Sequence, residues 1–113
     1  MKIIVADDEP DLTSFLQEIL TEQGHSVDTA PNGKKALELL QANSYDLAFL
    51  DHDMPEMTGI EVIKIIRKSG MKVKTVILSG YPLLKDFFVK TIGADIFVTK
   101  PFTLDEILEI TKS

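Results

Sequence analysis

Five short strand-like runs punctuate this chain. Four of them stop at a chemically useful polar side chain. Ile3-Ile4-Val5-Ala6 ends at Asp7-Asp8, and Leu47-Ala48-Phe49-Leu50 ends at Asp51. Val76-Ile77-Leu78 ends at Ser79-Gly80, and Ile96-Phe97-Val98-Thr99 ends at Lys100-Pro101. The remaining run, Val27 to Ala30, passes into the turn residues Pro31-Asn32-Gly33. The apolar runs, this short and with no polar alternation, have the pattern of strands buried on both faces.

Between the runs the apolar spacing becomes helical. Leu12, Phe15, Leu16, Ile19 and Leu20 fall at i, i+3, i+4, i+7 and i+8, one stripe of a helix. Pro10 suits its first turn and Gly24 its C-terminal end. Ala36, Leu37 and Leu40 face inward from a second helix that ends near Asn43. Thr58 and Glu61 form a T-x-x-E capping box ahead of Ile60, Val62, Ile63, Ile65 and Ile66, and Gly70 ends that helix. Leu83, Leu84, Phe87, Phe88 and Ile92 predict a fourth helix. Thr103 and Glu106 make a second capping box before Leu104, Ile107, Leu108 and Ile110. Strands joined by single helices predict an α/β fold with one doubly wound, five-stranded parallel sheet, right-handed crossovers and five helices.

The composition fits one soluble domain. The 113 residues are 44% hydrophobic and 27% charged. With no cysteine, disulfides, thiol catalysis and cysteine-ligated metals are excluded, which fits a reducing compartment. Twelve basic against 18 acidic residues give a net charge of -6. That balance argues against nonspecific nucleic-acid binding and against a polybasic membrane anchor. The apolar start is too short for a membrane span, so the expected location is cytoplasmic.

In an open α/β sheet, sites form beyond the carboxyl ends of the strands. Strand order 2-1-3-4-5 sets strands 1, 3, 4 and 5 side by side, so Asp7, Asp8, Asp51, Ser79 and Lys100 converge. The second strand, with nothing reactive at its end, lies outside. Two like charges about 4 Å apart repel by roughly 4 kcal/mol at an effective dielectric near 20. Three clustered carboxylates must therefore protonate, borrow the lysine, or hold a cation. Oxygen ligands without Cys or His point to Mg²⁺, with Mn²⁺ as the alternative. A metal, an ammonium and a hydroxyl together suit a phosphoryl group, and Asp51 stands where an aspartyl phosphate would form.

These residues carry a resemblance. Asp7-Asp8, Asp51 with Met54-Pro55-x-Met57-x-Gly59, Ser79-Gly80 and Lys100-Pro101-Phe102 look like the receiver domain of two-component response regulators. The resemblance spans residues 1–113 as one domain and implies the flavodoxin-like form of the fold. It implies that Asp51 accepts a phosphoryl group from a sensor histidine kinase or a histidine phosphotransfer protein. Asp8 and Asp51 would ligate Mg²⁺ directly, Asp7 through water, and Asp53 by its backbone carbonyl. Ser79 and Lys100 would bind phosphoryl oxygens, and the peptide bond before Pro101 would be cis. Ser79 and Phe97 would form the switch, moving the face of helix 4, strand 5 and helix 5. Asp53 and Tyr81 occupy the positions that tune phosphoryl lifetime, and together they imply a phosphorylated state lasting well beyond seconds. The implied assembly is a monomer or a weak dimer promoted by phosphorylation, with no membrane or direct nucleic-acid contact.

The stretch from Ser79 to Lys100 is about one residue shorter than the family's, which implies a trimmed or shifted fourth helix. The quick close at Ser113 suits a stand-alone receiver or a piece of a larger protein. Two other functions compete. Asp51-His52-Asp53 with Ser79 and Lys100 is also similar to haloacid-dehalogenase-type phosphatases, but here the D-x-D lies on the third strand and no cap segment is present. A receiver that no longer phosphorylates, a pure interaction module, is the other, and the complete residue set speaks against it. His52 reads as a solvent-facing loop residue, His25 as structural, and Met54, Met57 and Met71 as gap-fillers or loop anchors.

Overall fold

The computed structural model describes residues 1–112. The elements run β1 (Lys2–Ala6), α1 (Pro10–Glu22), β2 (Ser26–Ala30), α2 (Gly33–Ala42), β3 (Leu47–Asp51), α3 (Gly59–Ser69) and β4 (Lys74–Ser79). A 3₁₀ turn (Pro82–Leu84), a π-helical segment (Phe87–Ile92), β5 (Ile96–Thr99) and α4 (Leu104–Thr111) complete the chain. The sheet order is β2-β1-β3-β4-β5, and every pairing is parallel. The expected α/β sheet is therefore present. The close of the chain at Ser113 lies outside the described residues.

Alternation along each strand divides the core in two. Ile4, Ala6, Ala48, Leu50 and Ile77 pack with α2, α3 and Phe88 on one face. Ile3, Val5, Leu47, Phe49 and Leu78 pack with Leu16 and Leu20 of α1 and Ile107 of α4 on the other. Burial on both faces is why β1 and β3 carry no polar alternation.

The caps are largely as the sequence predicts. Thr103 and Glu106 make the full reciprocal box at the start of α4. At α3 the pairing is only half a box. The Thr58 hydroxyl oxygen accepts the Glu61 N–H at 3.3 Å, while the Glu61 carboxylate lies against that hydroxyl. Gly70, at φ 72°, caps α3 in the left-handed region that glycine enters without a Cβ clash. His25 is structural, its Nδ1 lying 3.1 Å from the Met1 amine. Burial and that amine's charge hold His25 below the ordinary imidazole value.

The fourth helix departs most from a regular stripe. The chain enters it at Pro82 as a 3₁₀ turn and leaves it through a π turn. There the Phe88 carbonyl accepts N–H groups from both Gly93 and Ala94 at 3.0 Å. Phe88 and Ile92 are buried and Leu84 packs beside them, but Leu83 is 96% exposed and Phe87 is 42% exposed. Five apolar residues exceed what one helix face can bury. Contact with the sheet decides which three go in.

Beneath this segment Arg67 ties α3 to the loop before β5. Its guanidinium donates to the Gly93 carbonyl at 2.9 Å, to Thr75 Oγ1 at 3.0 Å and to Asp95 Oδ2 at 2.7 Å. Burial raises the Asp95 value, but hydrogen bonds from Thr75 and Arg67 outweigh it and hold the carboxyl below its usual range.

Candidate phosphoacceptor site

The carboxyl ends of β1, β3, β4 and β5 bring the four expected groups together. Asp7 follows β1, Asp51 closes β3, Ser79 closes β4, and Lys100 follows β5. Asp7, Asp51 and Ser79 are all buried, while Asp8 is exposed. One carboxylate oxygen from each of Asp7, Asp8 and Asp51 lies within 4.8 Å of the others. A larger cleft of about 550 Å³ lies at the opposite end of the sheet, beside Leu40, Asn43, Tyr45 and Lys72. Among the described residues, none of those lining it is acidic.

Lys100 answers the buried acids. Its ammonium donates to Asp7 Oδ2 at 2.8 Å, stands 2.9 Å from Asp51 Oδ1, and reaches Glu9 at 3.5 Å. Asp7 Oδ1 meanwhile accepts the Glu9 N–H at 3.0 Å. Burial works against the charged lysine, but its hydrogen bonds to Asp7 and Asp51 prevail and hold it above its ordinary value. Asp51 moves the other way. Burial pushes its carboxyl up, Lys100 opposes this, and Asp7 and Asp8 add to the rise, leaving it at about 6. One ammonium does not balance three carboxylates, so the site retains an electrostatic demand for a cation.

Backbone packing fixes Asp51. A Cβ built on Gly59 would stand 2.6 Å from the Asp51 carbonyl oxygen, so only glycine lets α3 begin this close to β3. The loop between them carries Asp53, whose side chain is exposed beside the cleft, and Met54, which is buried in the core. Tyr81 stands across the cleft, 59% exposed. The cleft encloses about 470 Å³ and is open to solvent. The Lys100–Pro101 peptide bond is cis.

Ser79 has hydrogen-bond partners of its own. Its Oγ accepts the Tyr81 N–H at 3.1 Å and lies 3.3 Å from His52 Nδ1. His52 therefore corrects the reading of a solvent-facing loop residue. Its ring is half-buried and packs edge-on against Phe88, with centroids 4.8 Å apart, and against Tyr81 at 5.8 Å. The partners of the His52 ring lie 27 or more residues along the chain, out of reach of any local pattern. The only sequence signal was its place next to Asp51. Phe97 is half-buried, with its ring 5.8 Å from that of Phe88.

A family model for the response regulator receiver domain matches residues 3–112. The chain belongs to this family. Its relatives include the transcriptional regulatory protein DltR of Streptococcus agalactiae, 34% identical over 109 residues. That match covers 96% of this chain and 49% of DltR. TctD of Salmonella typhimurium is 36% identical over 95% of the chain and 48% of its own length. The receiver domain thus spans about half the length of these relatives. Among solved structures, the receiver domain of a Francisella response regulator superposes with a TM-score of 0.93 at 34% identity, covering 98% of this chain and 93% of that one. The response regulator TrrA of Thermotoga maritima, solved in complex with Mg²⁺ and BeF, gives 0.87 at 39% identity, covering 98% and 96%. This chain is a two-component signalling domain. No described helix is long and apolar enough to cross a membrane.

Proposed function

We propose that Asp51 is the phosphoacceptor of this receiver domain, taking its phosphoryl group from a phosphohistidine of a sensor kinase or phosphotransfer protein. The observation that carries this is the gathering of three carboxylates and one mostly buried lysine at the end of the sheet where Ser79 closes β4. An Asp51 carboxylate oxygen attacks phosphorus as the bond to the histidine nitrogen breaks, and the imidazole leaves with that electron pair. Asp51 is ionised above about pH 6, so it is a nucleophile at neutral pH.

The donor set fits Mg²⁺, with Mn²⁺ as a substitute: hard oxygens, net negative, one side open to water. Asp8 and Asp51 would hold it directly, Asp7 through water, and the Asp53 backbone carbonyl would complete the set. When bound, the ion neutralises charge on the transferring group. Lys100 exchanges its bond to Asp51 for one to a phosphoryl oxygen while keeping Asp7. Ser79 turns to donate its hydroxyl to another oxygen. Phe97 turns into the space Ser79 vacates, and the face of the π segment, β5 and α4 becomes the output surface. Tyr81 and Asp53 flank the cleft mouth, shielding phosphorus from water and disfavouring an anionic attacker, so self-hydrolysis is slow. The domain acts in the cytoplasm by protein contact, as a monomer or a weak dimer promoted by phosphorylation, and turns over no separate substrate.

The test is intact mass after incubation with acetyl phosphate, with and without Mg²⁺, beside Asp51→Asn. One phosphoryl group gained only with Mg²⁺, and lost in the variant, is the expected result. No gain under any condition overturns the proposal.

A further inference from the structure

We propose that His52 is a positioning residue, a latch that holds the Ser79 hydroxyl away from the acids in the resting domain. It rests on the phosphoacceptor reading above. Ser79 Oγ sits between two partners, the Tyr81 N–H at 3.1 Å and His52 Nδ1 at 3.3 Å. With Oγ already accepting the Tyr81 N–H, the latch is the state in which Ser79 donates its single hydroxyl proton to an unprotonated Nδ1. A phosphoryl oxygen needs that same hydroxyl as a donor. From that state phosphorylation must break the His52–Ser79 bond, and the bond biases the domain toward its resting state.

The ring also has a structural reach that a simple loop residue lacks. It is wedged edge-on against Phe88, which is fully buried in the π segment. Phe88 in turn lies against Phe97. His52 thus touches both the hydroxyl that moves and the aromatic beside Phe97. Release of Ser79 frees the imidazole, and its reorientation changes the surface against which Phe88 packs. π segments are rare, and they recur where a helix has a functional reason to depart from regularity.

Removing the latch while keeping a ring under Phe88 is the decisive change. His52→Phe supplies the ring without the nitrogen. His52→Asn restores a polar atom near the Nδ1 position without the ring. The readout is affinity for beryllium fluoride in the presence of Mg²⁺, measured by calorimetry on the full chain. His52→Phe is expected to bind about threefold to tenfold more tightly than the wild type, the equilibrium worth of one neutral hydrogen bond. His52→Asn is expected near wild type. In a Ser79→Ala background the gain from His52→Phe vanishes, since no hydroxyl remains to be released. Affinity for Mg²⁺ alone stays unchanged, which a general packing defect would not allow. If His52→Phe does not fold, His52→Leu replaces it in the same cycle. The latch is overturned if the ringed variant binds no more tightly than wild type, or if the gain persists without Ser79. Wild type that takes up neither beryllium fluoride nor a phosphoryl group overturns instead the reading on which the latch rests.

Discussion

Lys100 pairs with Asp7 at 2.8 Å across a sequence separation of 93 residues. The pair closes the site from its two outer strands, since β1 and β5 are separated in the sheet by β3 and β4. The Asp7 carboxylate is fully buried and Lys100 is mostly so, which makes the ammonium the main charge relief for Asp7 and Asp51.

Replacing Lys100 by Met strips that relief. Without added metal the variant is expected to lose about 2–4 kcal/mol of stability, because a buried carboxylate is left uncompensated. Its affinity for Mg²⁺ is expected to rise at least about fivefold, because a competing positive charge has gone. Calorimetric titration and thermal melts with and without Mg²⁺ check both, and a fall in metal affinity would contradict the role given to Lys100.

Asp51 gives a pH-dependent test. Its folded value of about 6 exceeds the ordinary 3.8, so the folded state binds more protons between those limits. Stability from this group is therefore intact at pH below 3.8 and is lost as pH rises to about 6. Asp51→Asn removes the penalty. In metal-free buffer at pH 7.5 the variant is expected to be more stable by about 1–2 kcal/mol, after allowing for its lost contact with Lys100. The advantage shrinks as pH falls from 6 toward 4. Denaturant unfolding across that range measures it.

Gly59→Ala places a methyl group 2.6 Å from the Asp51 carbonyl oxygen and from Ile77 Cδ1. Moving the start of α3 to make room is expected to cost about 1–3 kcal/mol and to slow phosphorylation by acetyl phosphate. Gly80→Ala is the stability control. Its Cβ would meet nothing within 4 Å, and its effect is expected within about 0.5 kcal/mol. Equal melts for the two variants would contradict the close approach.

Arg67→Ala removes three hydrogen bonds that anchor the end of the π segment to α3 and β4. A loss of about 1–3 kcal/mol is expected, with Arg67→Lys recovering only part, because an ammonium cannot reproduce the planar fork. Hydrogen exchange at Gly93 and Ala94 should quicken in both variants, and unchanged exchange there would argue against the anchor.

The sequence alone determined the sheet and the ends of its strands. Apolar runs without alternation admit only strands covered on both faces, and single helices between them force parallel pairing. Asp7, Asp51, Ser79 and Lys100 were legible because each is the first polar residue after such a run, and open sheets gather those ends. Tertiary structure decided the rest. It chose Leu84, Phe88 and Ile92 over Leu83 and Phe87 for burial, along a fourth helix that begins as a 3₁₀ turn and ends in a π turn. It turned His52 inward onto Ser79 and Phe88, and it gave Lys100 to Asp7 as well as Asp51. Periodicity reports only which residues share a face of one element. Which residue a side chain meets across the sheet depends on strand order, register and the packing of helices far away in sequence, and those are properties of the whole folded chain.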